Sequence, residues 1–151
     1  MKLHNKVAIV TGGSRGIGAA IAREFASQGA KVVVNYLNSQ EKADAVVADI
    51  VEQGGLAVAV QADVSQLSGI DLLVKRACEA FGGVDILVNN AGILRDKSFG
   101  KMSIEDFQLV LDVHVMGSVN CTKAVWDIMK QQNYGRIVMT TSSSGLYGNF
   151  G

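Results

Sequence analysis

Val7-Ala8-Ile9-Val10-Thr11-Gly12-Gly13-Ser14-Arg15-Gly16-Ile17-Gly18 is the stretch on which the fold turns. Its first four residues are a short β-branched and apolar run, the pattern of a strand buried on both faces. The run stops at Thr11-Gly12-Gly13, and the period then becomes helical, with Ile17, Ile21 and Phe25 recurring every fourth residue. Strand, glycine turn and helix in this order predict a β-α unit. Glycines let the backbone approach a pyrophosphate closely, and the free N–H groups of a helix start, aided by its dipole, hold negative charge. Gly12, Ser14, Arg15, Gly16, Ile17 and Gly18 are therefore candidate dinucleotide-binding residues. A glycine turn alone is also a tight turn without a ligand; the flanking strand and helix favour the dinucleotide.

Outward from this unit the pattern repeats. Gly29 supplies a residue suited to closing the helix, and Lys31 to Asn35 read as a second strand with Val-Val-Val at its centre. A helix from Ser39 presents Ala43, Val46, Val47, Ile50 and Val51 on one face and stops at Gly54-Gly55. Leu56 to Val60 predict a third strand, and the helix after Asp63 carries Ile70, Leu73, Val74, Ala77 and Phe81 before Gly82-Gly83. Val84 to Val88 form the fourth strand. A long helix follows from about Ile104, with Ser103 and Asp106 spaced as a capping box and a stripe of Phe107, Val110, Leu111, His114, Val115 and Ser118. A fifth strand, Arg136 to Thr141, leads into Ser142-Ser143-Ser144-Gly145. Strict alternation with short glycine turns predicts an α/β fold: a Rossmann-type doubly wound parallel sheet, one dinucleotide-binding domain over 1–151 that stops after the fifth strand.

Composition narrows the partners. Of 151 residues 48% are apolar and 19% charged, with 14 Lys and Arg against 14 Asp and Glu, which excludes a disordered tail and a nucleic-acid grip. No run approaches the ~20 apolar residues of a spanning helix, and Met1 to Lys6 lack a secretory pattern, so a soluble cytoplasmic protein with no membrane partner is expected. Cys78 and Cys121 are isolated, without metal-ligand spacing, and read as free thiols in a reducing compartment; no metal site is expected. A small molecule is the expected partner.

In dinucleotide folds an acidic residue at the end of the second strand holds the ribose 2′-hydroxyl. Asn35 stands there, followed by Tyr36. The missing carboxylate removes the repulsion that rejects a 2′-phosphate, and Arg15 is placed to pair with one through its guanidinium fork. NADP is favoured, with NAD as the alternative. A solvated surface charge at Arg15 and a plain turn residue at Asn35 would leave that preference undecided.

The turn is spaced Thr-Gly-x-x-x-Gly-x-Gly, and Asn89-Asn90-Ala91-Gly92 follows the fourth strand. With this pair of motifs the chain, from about Lys6 to Gly151, resembles the short-chain dehydrogenase/reductase family. The resemblance implies that Asp63-Val64 contact the adenine and that Asn90, Ala91 and Gly92 also line the cofactor. It implies hydride transfer between nicotinamide and carbon while a tyrosine, its pKa lowered by a lysine, moves the proton. A serine orients the substrate oxygen, and the family match selects Ser142, three residues before Gly145. The tyrosine and lysine of the family would fall beyond Gly151, and Tyr147 lacks the lysine partner and reads as a substrate-loop aromatic. The 151 residues alone are therefore expected to be inactive. Where the family commonly carries asparagine in the long helix, three residues before a glycine, this sequence has His114 ahead of Gly117. It reads either as a relay residue in place of asparagine or as a satisfied core histidine.

Asn89 to Phe99, His114 with Gly117, and Gly148-Asn149-Phe150-Gly151 resemble the (3R)-hydroxyacyl-CoA dehydrogenase part of peroxisomal multifunctional enzymes. Thr11 to Gly18 and Val32 to Tyr36 are closer to bacterial 3-oxoacyl-[acyl-carrier-protein] and acetoacetyl-CoA reductases. Both resemblances imply one chemistry, interconversion of a 3-oxoacyl thioester and its (3R)-3-hydroxy form, with acyl-CoA or acyl-carrier-protein as substrate. Another carbonyl substrate, and a nucleotide-binding module without catalysis, are the competing readings. A homo-oligomer through the long helix, Ile104 to Met129, is the assembly that the family implies for a full-length chain.

Overall fold

The structure, a computed structural model, describes residues 1–149. Phe150 and Gly151, which carry part of the resemblance to the multifunctional enzymes, lie outside the described residues. Strands β1 (Val7–Val10), β2 (Lys31–Tyr36), β3 (Leu56–Gln61), β4 (Ile86–Asn89) and β5 (Arg136–Met139) form one parallel sheet in the order β3-β2-β1-β4-β5. Helices α1 (Gly16–Ser27), α2 (Gln40–Glu52), α3 (Leu67–Phe81), α4 (Ile104–Leu111), α5 (Gly117–Gln131) and the short α6 (Ser144–Tyr147) complete the chain. From β1 the chain winds outward to β2 and β3, then crosses back to place β4 on the other side of β1. That reversal opens a crevice beyond the carboxyl ends of β1 and β4, the place where open α/β sheets bind ligands.

Period-two alternation along the strands feeds two apolar layers. Ala8, Val10, Val32, Val34, Ile86 and Val88 pack with Ala19, Ala22, Ala43, Val46 and Ile50 of α1 and α2. Ile9, Val33 and Leu87 point the other way, toward Ile70, Leu73, Val74 and Ala77 of α3 and Cys121, Val125 and Met129 of α5. Each central strand is covered on both faces, which is why its sequence is a continuous apolar run rather than an alternating one.

The α1 stripe differs from its reading. Ile17 is exposed, Ile21 and Phe25 are half-buried, and the face against the sheet is Gly18, Ala19, Ala22 and Ala26. The small residues let the helix lie close to the sheet: a Cβ on Gly18 would collide with Gly12 O and stand 2.6 Å from Asn90 Nδ2. In α2, Ala43, Val46 and Ile50 are buried as expected while Val51 is exposed, and in α3 the four aliphatic residues of the expected stripe are buried.

Strand ends shift for identifiable reasons. β4 begins at Ile86 rather than Val84, because Val84 pairs with a side chain: Gln132 Nε2 donates to Val84 O at 2.9 Å and Val84 N donates to Gln132 Oε1 at 3.3 Å. β5 ends at Met139 rather than Thr141, since β4 ends at Asn89, whose carbonyl accepts the Thr140 N–H at 3.1 Å as the last rung.

The long helix starts as expected, with Ser103 Oγ accepting the Asp106 N–H at 3.1 Å, but it widens over Asp112–Met116 into a π-helical segment between α4 and α5. Its expected stripe does not face the sheet. Phe107, Leu111 and Val115 are exposed, and so is His114; Gly117, Cys121, Val125 and Met129 are the buried row. Both cysteines are free, and burial pushes the Cys78 thiol up and the Cys121 thiol up to about 12. Among the described residues no helix is long and apolar enough to cross a membrane.

Candidate functional site

A cleft of about 490 Å³ opens at the crevice between β1 and β4. Four segments line it: Gly12 and Ser14 to Gly18 of the glycine turn, Asn35 to Ser39 at and beyond the end of β2, Ala62 to Val64 after β3, and Asn90 to Ile93 after β4. Val113 of the π-helical segment closes one side. The thirteen residues singled out for the dinucleotide, Gly12, Ser14, Arg15, Gly16, Ile17, Gly18, Asn35, Tyr36, Asp63, Val64, Asn90, Ala91 and Gly92, all lie along this one cleft.

The cleft is held open from within. Thr11, 2% exposed, donates through Oγ1 to Val88 O at 3.2 Å and accepts the N–H groups of Asn90 at 2.9 Å and Ala91 at 3.0 Å. Asn90 Nδ2 answers with bonds to Thr11 O at 2.9 Å and Gly12 O at 3.3 Å. These contacts tie the end of β1 to the end of β4 across the point where the strand order reverses. The N–H groups of Ser14, Gly16, Ile17 and Gly18 find no acceptor among the described residues, so the start of α1 carries a set of free donors along the cleft. Arg15 is the one cation lining it and forms no ion pair among the described residues. Among the described residues Asp63 is the one carboxylate lining it, and its Oδ1 accepts from Ser65 N at 2.9 Å and Ser65 Oγ at 2.7 Å.

Asn35 departs from its expected place. It lines the cleft, but its side chain turns inward: Oδ1 accepts the Gly12 N–H at 3.2 Å and Nδ2 donates to Ala62 O at 3.0 Å. Its parity explains this, because Asn35 lies on the same strand face as the fully buried Val33. The rim of the cleft beside β2 is formed instead by Leu37, Asn38 and Ser39.

The two catalytic candidates lie off the lining of this cleft. Ser142, beyond β5, is exposed and accepts the Ser144 N–H through Oγ at 3.2 Å, at the start of α6. His114 sits in the π-helical segment, where such irregularities often mark function, and its Nε2 lies 3.0 Å from both Ile93 N and Ile93 O. It is an exposed ring bonded to the loop after β4, not a core histidine. Tyr147 is 87% exposed. The same loop is tethered to α4 by Asp106, which bonds Lys97 at 2.7 Å and pairs with Arg95 at 3.4 Å. The Lys97 hydrogen bond, with the charges of Lys97 and Arg95, holds the Asp106 carboxyl below the usual carboxylate range.

A model of the short chain dehydrogenase family matches residues 6–151. The chain belongs to the short chain dehydrogenase family. It is similar to peroxisomal multifunctional enzyme type 2 of Drosophila melanogaster, 50% identical across 100% of this chain and 26% of that protein. It is also 50% identical to the 3-oxoacyl-[acyl-carrier-protein] reductase of Synechocystis, across 97% of this chain and 59% of the reductase. Among solved structures, a short chain dehydrogenase from Burkholderia cenocepacia in complex with NADP superposes with a TM-score of 0.91 at 42% identity, covering 99% of this chain and 60% of that one. This short chain dehydrogenase chain thus spans less than two thirds of the length of each of these relatives. Leu37, Asn38, Ser39, Ala62, Ile93 and Val113 also line the cleft, and none of them was singled out from the sequence as a site residue. Thr11 was legible only as part of the glycine turn; its buried hydroxyl, bridging two strands, is a tertiary fact.

Proposed function

We propose that the chain binds NADP(H) and serves an oxidoreductase that interconverts a 3-oxoacyl thioester and its (3R)-3-hydroxyacyl form. The observation that carries the cofactor reading is the pairing of four free backbone donors with the Arg15 guanidinium in a cleft where, among the described residues, the one carboxylate is already bonded to Ser65. Backbone donors at a helix start suit a diphosphate, and a guanidinium free of acidic partners suits a 2′-phosphate. NAD fits the same cleft and is the alternative. The substrate reading draws on the names of the relatives, with the acyl carrier, coenzyme A or acyl-carrier protein, left to experiment.

When bound, the nicotinamide supplies or accepts the hydride. Asp63 and Val64 would hold the adenine, and Asn90, Ala91 and Gly92 would line the cofactor from the loop after β4. Ser142 orients the substrate oxygen through Oγ. His114, bonded to Ile93, holds the loop after β4 and would supply the ring nitrogen of a proton relay. Tyr147 is not the proton donor in this reading, since it is open to water and has no lysine beside it in sequence. Association of two or more copies through the α4 and α5 face accompanies the activity.

The test is titration with NADPH and NADH, followed by NADPH oxidation on acetoacetyl-CoA, alongside an intact mass of the natively expressed protein. Tighter NADPH binding with turnover supports the reading, and a mass above that of the 151 residues would show a longer natural polypeptide with room for the tyrosine and lysine. Binding without turnover at a matching mass favours a nucleotide-binding module. A protein that binds neither nucleotide sinks the proposal.

A further inference from the structure

Asn35 is 2% exposed, and one planar amide there serves two segments of the cleft. Oδ1 accepts the Gly12 N–H at 3.2 Å; Nδ2 faces three carbonyl oxygens, Ala62 at 3.0 Å and Val60 and Tyr36 at 3.4 Å. The backbone carbonyl of Asn35 accepts the Gly13 N–H at 2.8 Å. β2 therefore grips the glycine turn on one side and the exit of β3 on the other, and both grips meet in one residue. An amide offers an acceptor and a donor at any pH; leucine offers neither, and an ionised aspartate of the same shape offers acceptors alone.

We propose that Asn35 is a positioning residue for the dinucleotide site, its side-chain amide locking the glycine turn to the exit of β3 so that the diphosphate and adenine ends of the cleft are fixed before a ligand arrives. The proposal rests on the dinucleotide reading above. Drawing the Gly12 N–H inward commits that donor to the scaffold and leaves the donors from Ser14 to Gly18 for the ligand. The link spans segments that are distant in sequence, so the cleft depends on a side chain that need not touch what it binds.

Two variants test this. In Asn35→Ala, hydrogen exchange of the Gly12 amide in the nucleotide-free chain should quicken at least about tenfold, while Gly13, held by a backbone carbonyl, changes little. NADPH affinity should fall at least about tenfold, the loss expected for one buried hydrogen bond with its partner stranded. Asn35→Asp supplies a signature that simple loosening does not. A protonated carboxyl keeps one acceptor for Gly12 and one O–H donor for Ala62, whereas the carboxylate sets negative charge against three carbonyl oxygens. NADPH affinity of Asn35→Asp, divided by that of the wild type at each pH, should rise as pH falls. The ratio removes the titration of the 2′-phosphate and of Arg15, Tyr36 and Asp63, the titratable and charged side chains on the packing segments, which wild type and variant share. Equal NADPH affinity in wild type and Asn35→Ala, or a ratio for Asn35→Asp that does not move with pH, overturns the proposal. Should Asn35→Ala fail to fold, the pH series decides alone. A wild type that binds neither NADPH nor NADH fails the cofactor reading, and this proposal with it; a wild type that binds while the variants bind equally well fails this proposal only.

Discussion

Arg15 shows what a single residue contributes and how far it was legible. Its place one step before α1 follows from the turn, and the structure puts it on the cleft with no acidic partner among the described residues. A charge-assisted hydrogen bond is worth roughly 1.5–3 kcal/mol, so Arg15→Ala should weaken NADPH by about 10-fold to 100-fold and NADH little. Titration of both nucleotides against both proteins checks it; equal losses would mean that the arginine does not read the phosphate. Asn35 was legible as a position and not as a role. A strand-end asparagine looks like a ligand contact in sequence, but the strand runs one residue further, to Tyr36, and alternation turns Asn35 into the interior beside Gly12 and Ala62. Side-chain direction at a strand end depends on where pairing stops, and a single sequence leaves that open by a residue.

At the scale of elements, the alternation of strands and helices was readable throughout because each apolar run is bounded by a glycine turn. The helix faces were less so. In α1 and in the long helix an i, i+4 row of large apolar residues looked like the core face, yet the buried rows are Gly18-Ala22-Ala26, all small, and Gly117-Cys121-Val125-Met129, small only at its start. Close approach to a parallel sheet selects small side chains, and hydrophobicity alone does not report distance of approach. The π-helical segment was not legible either, since one extra residue in a turn leaves composition unchanged. It carries His114 to Gly92, where an added Cβ would stand 2.7 Å from His114 Cε1. Gly92→Ala should therefore cost about 1–3 kcal/mol by overpacking, seen as a lower thermal midpoint. Adding His114→Ala should recover most of that loss, because the colliding ring is gone; a double variant no more stable than Gly92→Ala would show that the strain lies in the backbone rather than against the ring.

For the whole molecule, the strand order β3-β2-β1-β4-β5 puts the glycine turn and the loop after β4 side by side, and the site follows from that reversal. The β-α alternation implied a doubly wound parallel sheet but not the order of its strands, and no residue encodes which faces remain uncovered. Phe107, Leu111, Val115 and Val119, each four residues after the last, form an exposed apolar row along α4, the π-helical segment and α5, at 48%, 37%, 51% and 50% exposure. Val138 and Met139 of β5, on opposite faces of the sheet, leave apolar side chains exposed at an edge that pairs only with β4 among the described residues. The two surfaces predict different assemblies. Rows of large side chains on paired helices give a closed, specific contact, whereas an open edge gives unlimited strand addition. If the helices carry the assembly, sedimentation of the wild type should show a discrete oligomer, and Val115→Glu, which sets a charge in the middle of the row, should reduce it to monomer with cofactor affinity kept. Val138→Lys should then leave the oligomer intact and only lower aggregation at high concentration. The reverse pattern, an oligomer that survives Val115→Glu and dissolves with Val138→Lys, would assign association to the sheet edge and leave the apolar row on the helices without a role in assembly.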